Sequence, residues 1–237
     1  MIRRPASHGA PAGFTAALVG CDGAGKTTVA RALERDSTLP VRYLYMGVSS
    51  DSSDRQLVTT RLVHHVKRRR GAPPDTAGPP ELPPSAPPPA PLPRRLRRSL
   101  RAALRLANRV ADEWYRQALA ARDVRRGRIV VFDRHYIADF HAAEIAGRAP
   151  TVTQRLHGLM LSRLYPRPDV VIFLDAPPEV RHARKGEGTL ASLTRRRSEY
   201  LKLGETTDRF AVVDATQPLD AVVGSVTRLL RDHQGAR

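Results

Sequence analysis

Residues 20–27 read Gly-Cys-Asp-Gly-Ala-Gly-Lys-Thr, which fits the pattern G-x-x-x-x-G-K-S/T, and they follow the apolar run Phe14–Val19. A helical pattern extends from Lys26 to about Arg35, so the motif lies between a strand and a helix, the context it requires. Glycines permit a tight turn whose N–H groups point inward, and the helix N-terminus adds positive partial charge. The stretch therefore predicts a turn that binds the phosphates of a nucleoside triphosphate together with Mg²⁺.

The residues of this phosphate loop (residues 20–28) have different expected roles. Lys26 can reach the β- and γ-phosphates, and the Thr27 hydroxyl can ligate Mg²⁺. Asp22 is an acid among phosphates, which is unfavourable unless it serves a metal ion or a sugar hydroxyl, so we expect a functional residue there. Cys21 is expected to be a small packing residue. The remaining positions are expected to line the triphosphate: Gly20, Gly23, Ala24, Gly25 and Thr28.

Outside the loop, short apolar runs alternate with helical patterns. Four further strands are predicted, at Val41–Tyr45, Ile129–Phe132, Val170–Leu174 and Phe210–Val213. Helices are predicted at residues 55–70, 95–126, 151–165, 178–184, 193–203 and 219–231. The strands are continuously apolar rather than alternating, which is typical of parallel strands buried on both faces. The pattern predicts a three-layer α/β fold of the P-loop type, a five-stranded parallel sheet with helices on both faces.

The chain is expected to form a single domain over residues 14–237, preceded by a flexible tail over residues 1–13. Residues 71–93 interrupt this domain, because eleven of these 23 residues are proline. Such a stretch favours neither helix nor sheet and predicts a disordered, partly extended insertion. It is either a tolerated insertion or a docking segment for a proline-recognising partner.

The charge and composition exclude several classes of protein. The formal net charge is +17, but 36 of the 40 basic residues are arginine, which GC-rich codons favour, and only 12 residues are aromatic. Nucleic acid is therefore not expected to be the main partner. The single cysteine excludes a disulfide framework. No apolar run approaches the ~20 residues that span a bilayer and no signal peptide is evident, so we expect a cytoplasmic protein without a transmembrane segment.

Residues 94–109 form a second basic feature, with seven arginines in sixteen residues and leucines at helical spacing. The segment predicts an amphipathic helix. It is either a surface helix that contributes to the core or a surface that docks on an anionic membrane or partner.

Several segments together resemble the thymidylate kinases. Residues 20–28 resemble the phosphate loop of that family, which commonly reads G-x-D-G-A-G-K-T-T. Four further segments follow in the family's order: Ile129–His135, like the strand that ends in Asp-Arg; Val170–Pro178, like the fourth strand; Arg195–Leu203, like the arginine-bearing helix after the lid; and Val213–Ala215, like the strand end beside the adenine. The resemblance covers residues 14–36 and 112–231.

The end of the third strand supplies the next candidate residues. Asp133 closes that strand at the carboxyl edge of the sheet, where α/β proteins bind ligands, and could hold Mg²⁺ through water or accept a proton from a hydroxyl. Arg134 is placed to bind an acceptor phosphate, and the matching arginine of the family contacts the acceptor nucleotide. His135 and Tyr136 contact the base or sugar, or form only the wall of the site.

The resemblance also implies a donor site completed by a lid. At least one of the lid arginines Arg184, Arg195 and Arg197 is expected to stabilise the transition state, since Gly23 stands where some thymidylate kinases have a catalytic arginine. Asp214 and Ala215 are expected to border the adenine. Two departures are visible: residues 43–48 read Tyr-Leu-Tyr-Met-Gly-Val where the family has an Arg-Glu-Pro-Gly-type segment, and the lid, residues 185–194, is short.

The function implied is ATP- and Mg²⁺-dependent phosphoryl transfer to a nucleoside monophosphate, dTMP first. Two alternatives stay open. One is a P-loop kinase that acts on a hydroxyl of a nucleoside or another small metabolite. The other is a non-catalytic module that binds ATP and regulates or scaffolds. A homodimer is compatible with either.

Overall fold

The computed structural model describes residues 12–21, 23–36, 38–47, 69, 92–135, 152–185 and 189–237. The chain divides into two compact units, the first comprising 1–44, 119–133 and 168–237 and the second 45–118 and 134–167. The predicted helix at 55–70 apart from Arg69, the proline-rich segment up to residue 91 and residues 1–11 of the tail lie outside the described residues. That residues 14–237 form one domain stays a prediction.

Five strands and six helices make up the described elements. The strands are β1 (Phe14–Val19), β2 (Val41–Tyr45), β3 (Ile129–Asp133), β4 (Val170–Asp175) and β5 (Phe210–Asp214). The helices are α1 (Lys26–Arg35), α2 (Leu92–Arg125), α3 (Val152–Leu164), α4 (Pro178–Lys185), α5 (Leu190–Glu205) and α6 (Leu219–Gly235). Nearly every predicted element is present within a few residues of its predicted bounds.

The five strands form one parallel sheet in the order β2-β3-β1-β4-β5. β1 lies in the centre, where β3 and β4 flank it, and the register pairs Leu18 with Asp133. The carboxyl ends of β1, β3 and β4 therefore share one edge of the sheet, as predicted for an α/β fold of the P-loop type. The edge strand β5 departs from the prediction of burial on both faces, because Val212 is 51% exposed.

Helices cover both faces of the sheet, which confirms the three-layer fold. On one face, α1 and α6 pack against each other and against a core that includes Phe14, Leu18 and Ile172. On the other face, Tyr200 of α5 stacks on Phe173 of β4, with ring centroids 5.3 Å apart. The continuous apolar runs of the strands supply both interfaces, since successive side chains point to opposite faces.

Helix α2 begins at Leu92, three residues before its predicted start and inside the predicted proline-rich segment. Pro93 lies in its first turn, where a missing backbone N–H breaks no helical hydrogen bond. Leu100 and Leu104 are each 61% exposed, so this part of the basic helix lies on the surface. None of the helices among the described residues is long and apolar enough to cross a membrane.

The second unit has a polar interior around Glu113 of α2. Its carboxylate accepts hydrogen bonds from Arg109 at 3.0 Å and Tyr165 at 3.1 Å and lies 2.9 Å from His157 Nε2. Burial by itself would raise the pKa of Glu113, but these partners outweigh it and lower that pKa. The Trp114 and Tyr165 rings meet edge to face, with centroids 5.4 Å apart. Charged and aromatic contacts therefore contribute to holding this unit together.

One carboxylate links the sheet to the C-terminal residue of the chain. Asp169, just before β4, accepts two hydrogen bonds from Thr15 of β1, at 2.9 and 2.8 Å, and one from Arg237 at 3.0 Å. Burial by itself would raise the pKa of Asp169, but these hydrogen bonds and the positive charge of Arg237 lower it below the ordinary value. A carboxyl with a lowered folded pKa stabilises the fold above its unfolded pKa and loses that contribution as pH falls through the folded value.

We expect Asp169→Asn to lower the free energy of unfolding at pH 7 by about 1 kcal/mol, a modest figure because the pair is partly exposed. The difference from the wild type should begin to shrink below pH ~4, as the unfolded carboxyl becomes protonated, and it is lost as pH falls through the lowered folded pKa. Urea unfolding at pH 7, 5 and 3.5 measures it, with Asp208→Asn in an exposed turn as the control. An equal deficit at all three pH values would contradict the electrostatic account.

Candidate active site

The phosphate loop joins β1 to α1, and its glycines have steric reasons for being glycine. Gly23 and Gly25 both have φ of 84°, in the left-handed region that other residues rarely adopt. A Cβ on Gly20 would lie 2.8 Å from the Leu174 carbonyl oxygen of β4, so only glycine permits that close approach. The predicted strand–turn–helix context is therefore present, with the turn at the carboxyl edge of the sheet.

Lys26 is bound to the backbone of the same loop. Its Nζ donates to the Gly20 carbonyl at 2.8 Å and to the Cys21 carbonyl at 2.9 Å, and the residue is 8% exposed. Lys26 is also the first residue of α1, whose first turn contains no acid. The positive end of the helix and the ammonium group thus lie together, which suits an anionic ligand.

Cys21 lies beside buried cationic side chains. It is 3% exposed, and burial raises the pKa of its thiol against the opposing effect of Arg181, Lys26 and Arg196. Arg181 of α4 is 2% exposed and donates to the Leu193 carbonyl of α5 at 2.9 Å. The neutral, buried thiol agrees with the expected packing role, and Arg181 ties the two helices together near the loop.

A buried carboxylate contacts the residue that follows Lys26. Thr27 Oγ1 donates to Asp133 Oδ2 at 2.5 Å, and the Tyr43 hydroxyl of β2 donates to the same oxygen at 3.4 Å. Asp133 is fully buried. The structure thus brings together two residues predicted to bind the metal, Thr27 and Asp133, and adds Tyr43, which the sequence reading did not single out.

The chemistry of this pair fits a magnesium ion. Among the residues that the structure describes, no donor reaches Asp133 Oδ1, although that oxygen is buried. A buried carboxylate oxygen needs a hydrogen-bond donor or a cation. No group of three His, Cys, Asp or Glu side chains that could hold a metal ion occurs in the described ranges. A hydroxyl and one carboxylate suit Mg²⁺, which usually keeps waters and phosphate oxygens as its other ligands.

Several predicted site residues cannot be placed. Asp22, Tyr136 and residues 186–188 of the lid lie outside the described residues, as do the side chains of Arg184 and Lys185. Thr28 is described and is exposed on α1. The metal role of Asp22 and the lid role of Arg184 therefore stay predictions.

Two predicted lid arginines differ in their surroundings. Arg197 of α5 forms a bidentate pair with Asp175 at the end of β4, with both N···O distances 2.7 Å. This hydrogen bonding raises the pKa of Arg197. Arg195 is exposed on the same helix. Asp175, which the sequence reading did not select, thus fixes the direction of one candidate catalytic cation.

Asp214 belongs to a local turn after β5. Its carboxylate accepts from Thr216 N at 2.9 Å, from Thr216 Oγ1 at 2.6 Å and from Gln217 Nε2 at 3.0 Å. These hydrogen bonds lower the pKa of Asp214 to about 2. The next residue, Ala215, is buried and donates its N–H to the Asp175 carbonyl at 2.7 Å. The predicted contact of both residues with adenine stays a prediction.

Arg134 and His135 are the first residues of the second stretch of the second unit. Arg134 is half-buried and has φ of 61°, a strained value for a residue other than glycine, of a kind that clusters at functional sites. His135 is fully buried, and burial lowers its pKa to about 3, so the imidazole is neutral at physiological pH. His135 is thus part of the packed interior, which favours the wall role over a direct substrate contact.

A sequence model of the family described as thymidylate kinase matches residues 94–226, more than half of the chain. The chain belongs to the thymidylate kinase family. The match begins after the phosphate loop, so the loop, the strand order and the family match are separate observations that agree. Membership in the thymidylate kinase family supports a nucleotide kinase.

Sequence reasoning missed three features of this thymidylate kinase family member. Tyr43 and Asp175 are strand residues whose contacts depend on which strands and helices lie next to them. Arg181 lies close to the predicted lid arginines in the sequence, yet it is buried and donates to the Leu193 carbonyl. Its position in the first turn of a helix that follows a buried strand is the only signal in the sequence for that burial.

We expect Lys26→Ala to lower kcat by about 10²-fold or more, because it removes the loop's own cation from the transferring phosphate. The variant should stay folded with a melting temperature lower by a few degrees, since two loop carbonyls lose a charged donor at about 1–2 kcal/mol in total. Steady-state kinetics and circular dichroism measure both effects. The matched control is Lys202→Ala, whose side chain is 66% exposed. Near-normal turnover of Lys26→Ala would contradict the donor site.

Proposed function

We propose that this protein transfers the γ-phosphoryl group of ATP to a nucleoside monophosphate, with Mg²⁺ as cofactor and dTMP as the first acceptor to test. The observation that carries the proposal is the hydrogen bond from Thr27 to the buried Asp133 beside the phosphate loop. It places a hydroxyl and a carboxylate beside the turn that would bind the triphosphate. Family membership supports the same reaction class.

The donor site would bind ATP through the backbone of the loop, the N-terminus of α1 and Lys26. Thr27 and Asp133 would hold Mg²⁺, which neutralises phosphate charge when bound. The buried Asp133 Oδ1, which no described donor reaches, supports this assignment. Asp214 and Ala215 would border the adenine through backbone groups.

The hydrogen bonds that Asp133 accepts help to choose between a hydroxyl acceptor and a phosphate acceptor. A hydroxyl acceptor needs a carboxylate to take its proton, whereas a phosphate monoester with a second pKa near ~6 is already ionised at neutral pH. Asp133 Oδ2 accepts hydrogen bonds from Thr27 and Tyr43, which directs the carboxylate toward the phosphate loop. That direction suits a metal ligand better than a general base, and it supports a phosphate acceptor.

Arginines would supply the remaining positive charge. Arg134 would bind the acceptor phosphate with its planar fork of N–H donors. At least one of Arg184, Arg195 and Arg197 would stabilise the transition state, a role that contributes ~10³–10⁵ in rate in other phosphoryl-transfer enzymes. Asp175 would orient Arg197 until the phosphates compete for its donors.

We expect Arg134→Ala to raise the acceptor KM about 10- to 100-fold and to lower kcat, because charged hydrogen bonds to two negative charges are lost. Asp133→Asn should lower kcat through weaker Mg²⁺ binding and add no pH dependence. The measurement is kcat/KM against pH for the wild type and both variants, with dTMP, other monophosphates and nucleosides as acceptors. Arg126→Ala, at an exposed turn, is the matched control.

Two results would contradict parts of this proposal. If Arg134→Ala is near neutral and activity needs a deprotonated group that Asp133→Asn removes, the protein is a kinase that acts on a hydroxyl. If no acceptor stimulates ATP turnover and ATP still binds, the result favours the non-catalytic module or an acceptor outside the panel, and the monophosphate reading fails.

A further inference from the structure

A buried arginine of α2 binds the backbone segment that follows β2. Arg116 is 4% exposed, and its Nη1 donates to the Tyr45 carbonyl and to the Gly47 carbonyl, both at 3.0 Å. Its Nη2 donates to the carboxylate of Asp112, one helical turn earlier, which is 2% exposed. The Arg116 guanidinium thus holds two carbonyl groups that lie 71 and 69 positions before it in the chain.

The burial of this ion pair calls for a reason beyond stability. Moving two charges out of water carries a large desolvation penalty, and apolar residues of similar volume often stabilise a fold as well or better. In some proteins a buried ion pair is retained because it specifies one conformation. Here the pair specifies the path of residues 45–47, because the planar fork can serve both carbonyls only if they lie in one place.

The same segment contacts Arg134. A Cβ on Gly47 would lie 2.9 Å from Arg134 Cδ and 2.4 Å from the Tyr45 hydroxyl oxygen, so the Arg134 stem lies directly against the Gly47 backbone. Arg134 also has the strained φ of 61°. The backbone conformation of Arg134 and the surface beneath its side chain are therefore both fixed. Arg116 fixes that surface, because it holds the Gly47 backbone.

We infer that Arg116 is a positioning residue for the phosphate acceptor. It holds the Tyr45–Gly47 segment so that Arg134 extends along one path, and Arg134 binds the acceptor phosphate. The inference rests on the proposed function, and it also gives a reason for the departure at residues 43–48. Where the family has an Arg-Glu-Pro-Gly-type segment, the described part of this chain has the end of β2 and the residues up to Gly47, and Arg116 of α2 binds the carbonyls of Tyr45 and Gly47.

The test is Arg116→Lys, which keeps the charge but not the fork that reaches two carbonyls and Asp112 at once. We expect the acceptor KM to rise about tenfold while the ATP KM and kcat change by no more than about twofold to threefold, because only the aim of Arg134 is altered. Arg122→Lys, an exposed arginine of the same helix, is the matched control and should behave as the wild type. Equal changes in both KM values, or none, would overturn the inference.

Two further variants keep the inference testable if Arg116→Lys fails to fold. Gly47→Ala should raise the acceptor KM in the same selective way, because its methyl group would lie 2.4 Å from the Tyr45 hydroxyl oxygen and 2.9 Å from Arg134 Cδ, so that both the Tyr45 ring and the Arg134 stem must shift. In the double variant Gly47→Ala/Arg134→Lys, the increase in acceptor KM, expressed as a free energy, should be smaller than the sum of the increases in the two single variants, because both substitutions act on one contact. Additive losses would show that the segment does not act through Arg134.

Failure of the two proposals is distinguishable. If the wild-type protein phosphorylates no monophosphate, the proposed function is wrong and the acceptor role of Arg116 falls with it. If the wild-type protein is active and Arg116→Lys and Gly47→Ala keep its acceptor KM, only the positioning role is wrong.

Discussion

The hydrogen bond from Thr27 to Asp133 joins the phosphate loop to the end of β3, across 106 positions of the chain. It can form only because β1 and β3 are neighbours in the sheet and because the register sets Leu18 beside Asp133. A slip of one residue in that register would turn Asp133 to the opposite face. The carboxylate is fully buried, and the hydroxyls of Thr27 and Tyr43 partly offset its lost hydration. The proposed Mg²⁺ site thus depends on the strand order and on the register.

The fold was predictable because its signal is local. Each strand is a short, continuously apolar run, and the loop between Gly20 and Lys26 has a spacing that few other structures require. The errors are confined to ends and edges: α2 begins earlier than expected, and Val212 of the edge strand is exposed. An edge strand has a neighbouring strand on one side only, and its own residues do not indicate that it lies at the edge of the sheet.

The site was predictable where a motif or a strand end marks a residue, as for Lys26, Thr27 and Asp133. The sequence did not predict which partners the arginines contact. The chain has 36 arginines, and no local pattern separates the buried Arg116 and Arg181 from exposed ones such as Arg195. The roles of Asp175 and Asp112 likewise depend on the side chains that contact them in the folded chain.

Cys21 gives the molecule a practical property. It is the single cysteine of the chain, it is 3% exposed, and burial raises its pKa. Maleimides and oxidants attack the thiolate, so we expect this buried sulfur to react slowly even though it lies within the phosphate loop. We therefore expect thiol reagents to label the unmodified protein only weakly. A cysteine introduced at an exposed position such as Lys202 would carry a fluorescent dye at one known place, without any need to replace Cys21.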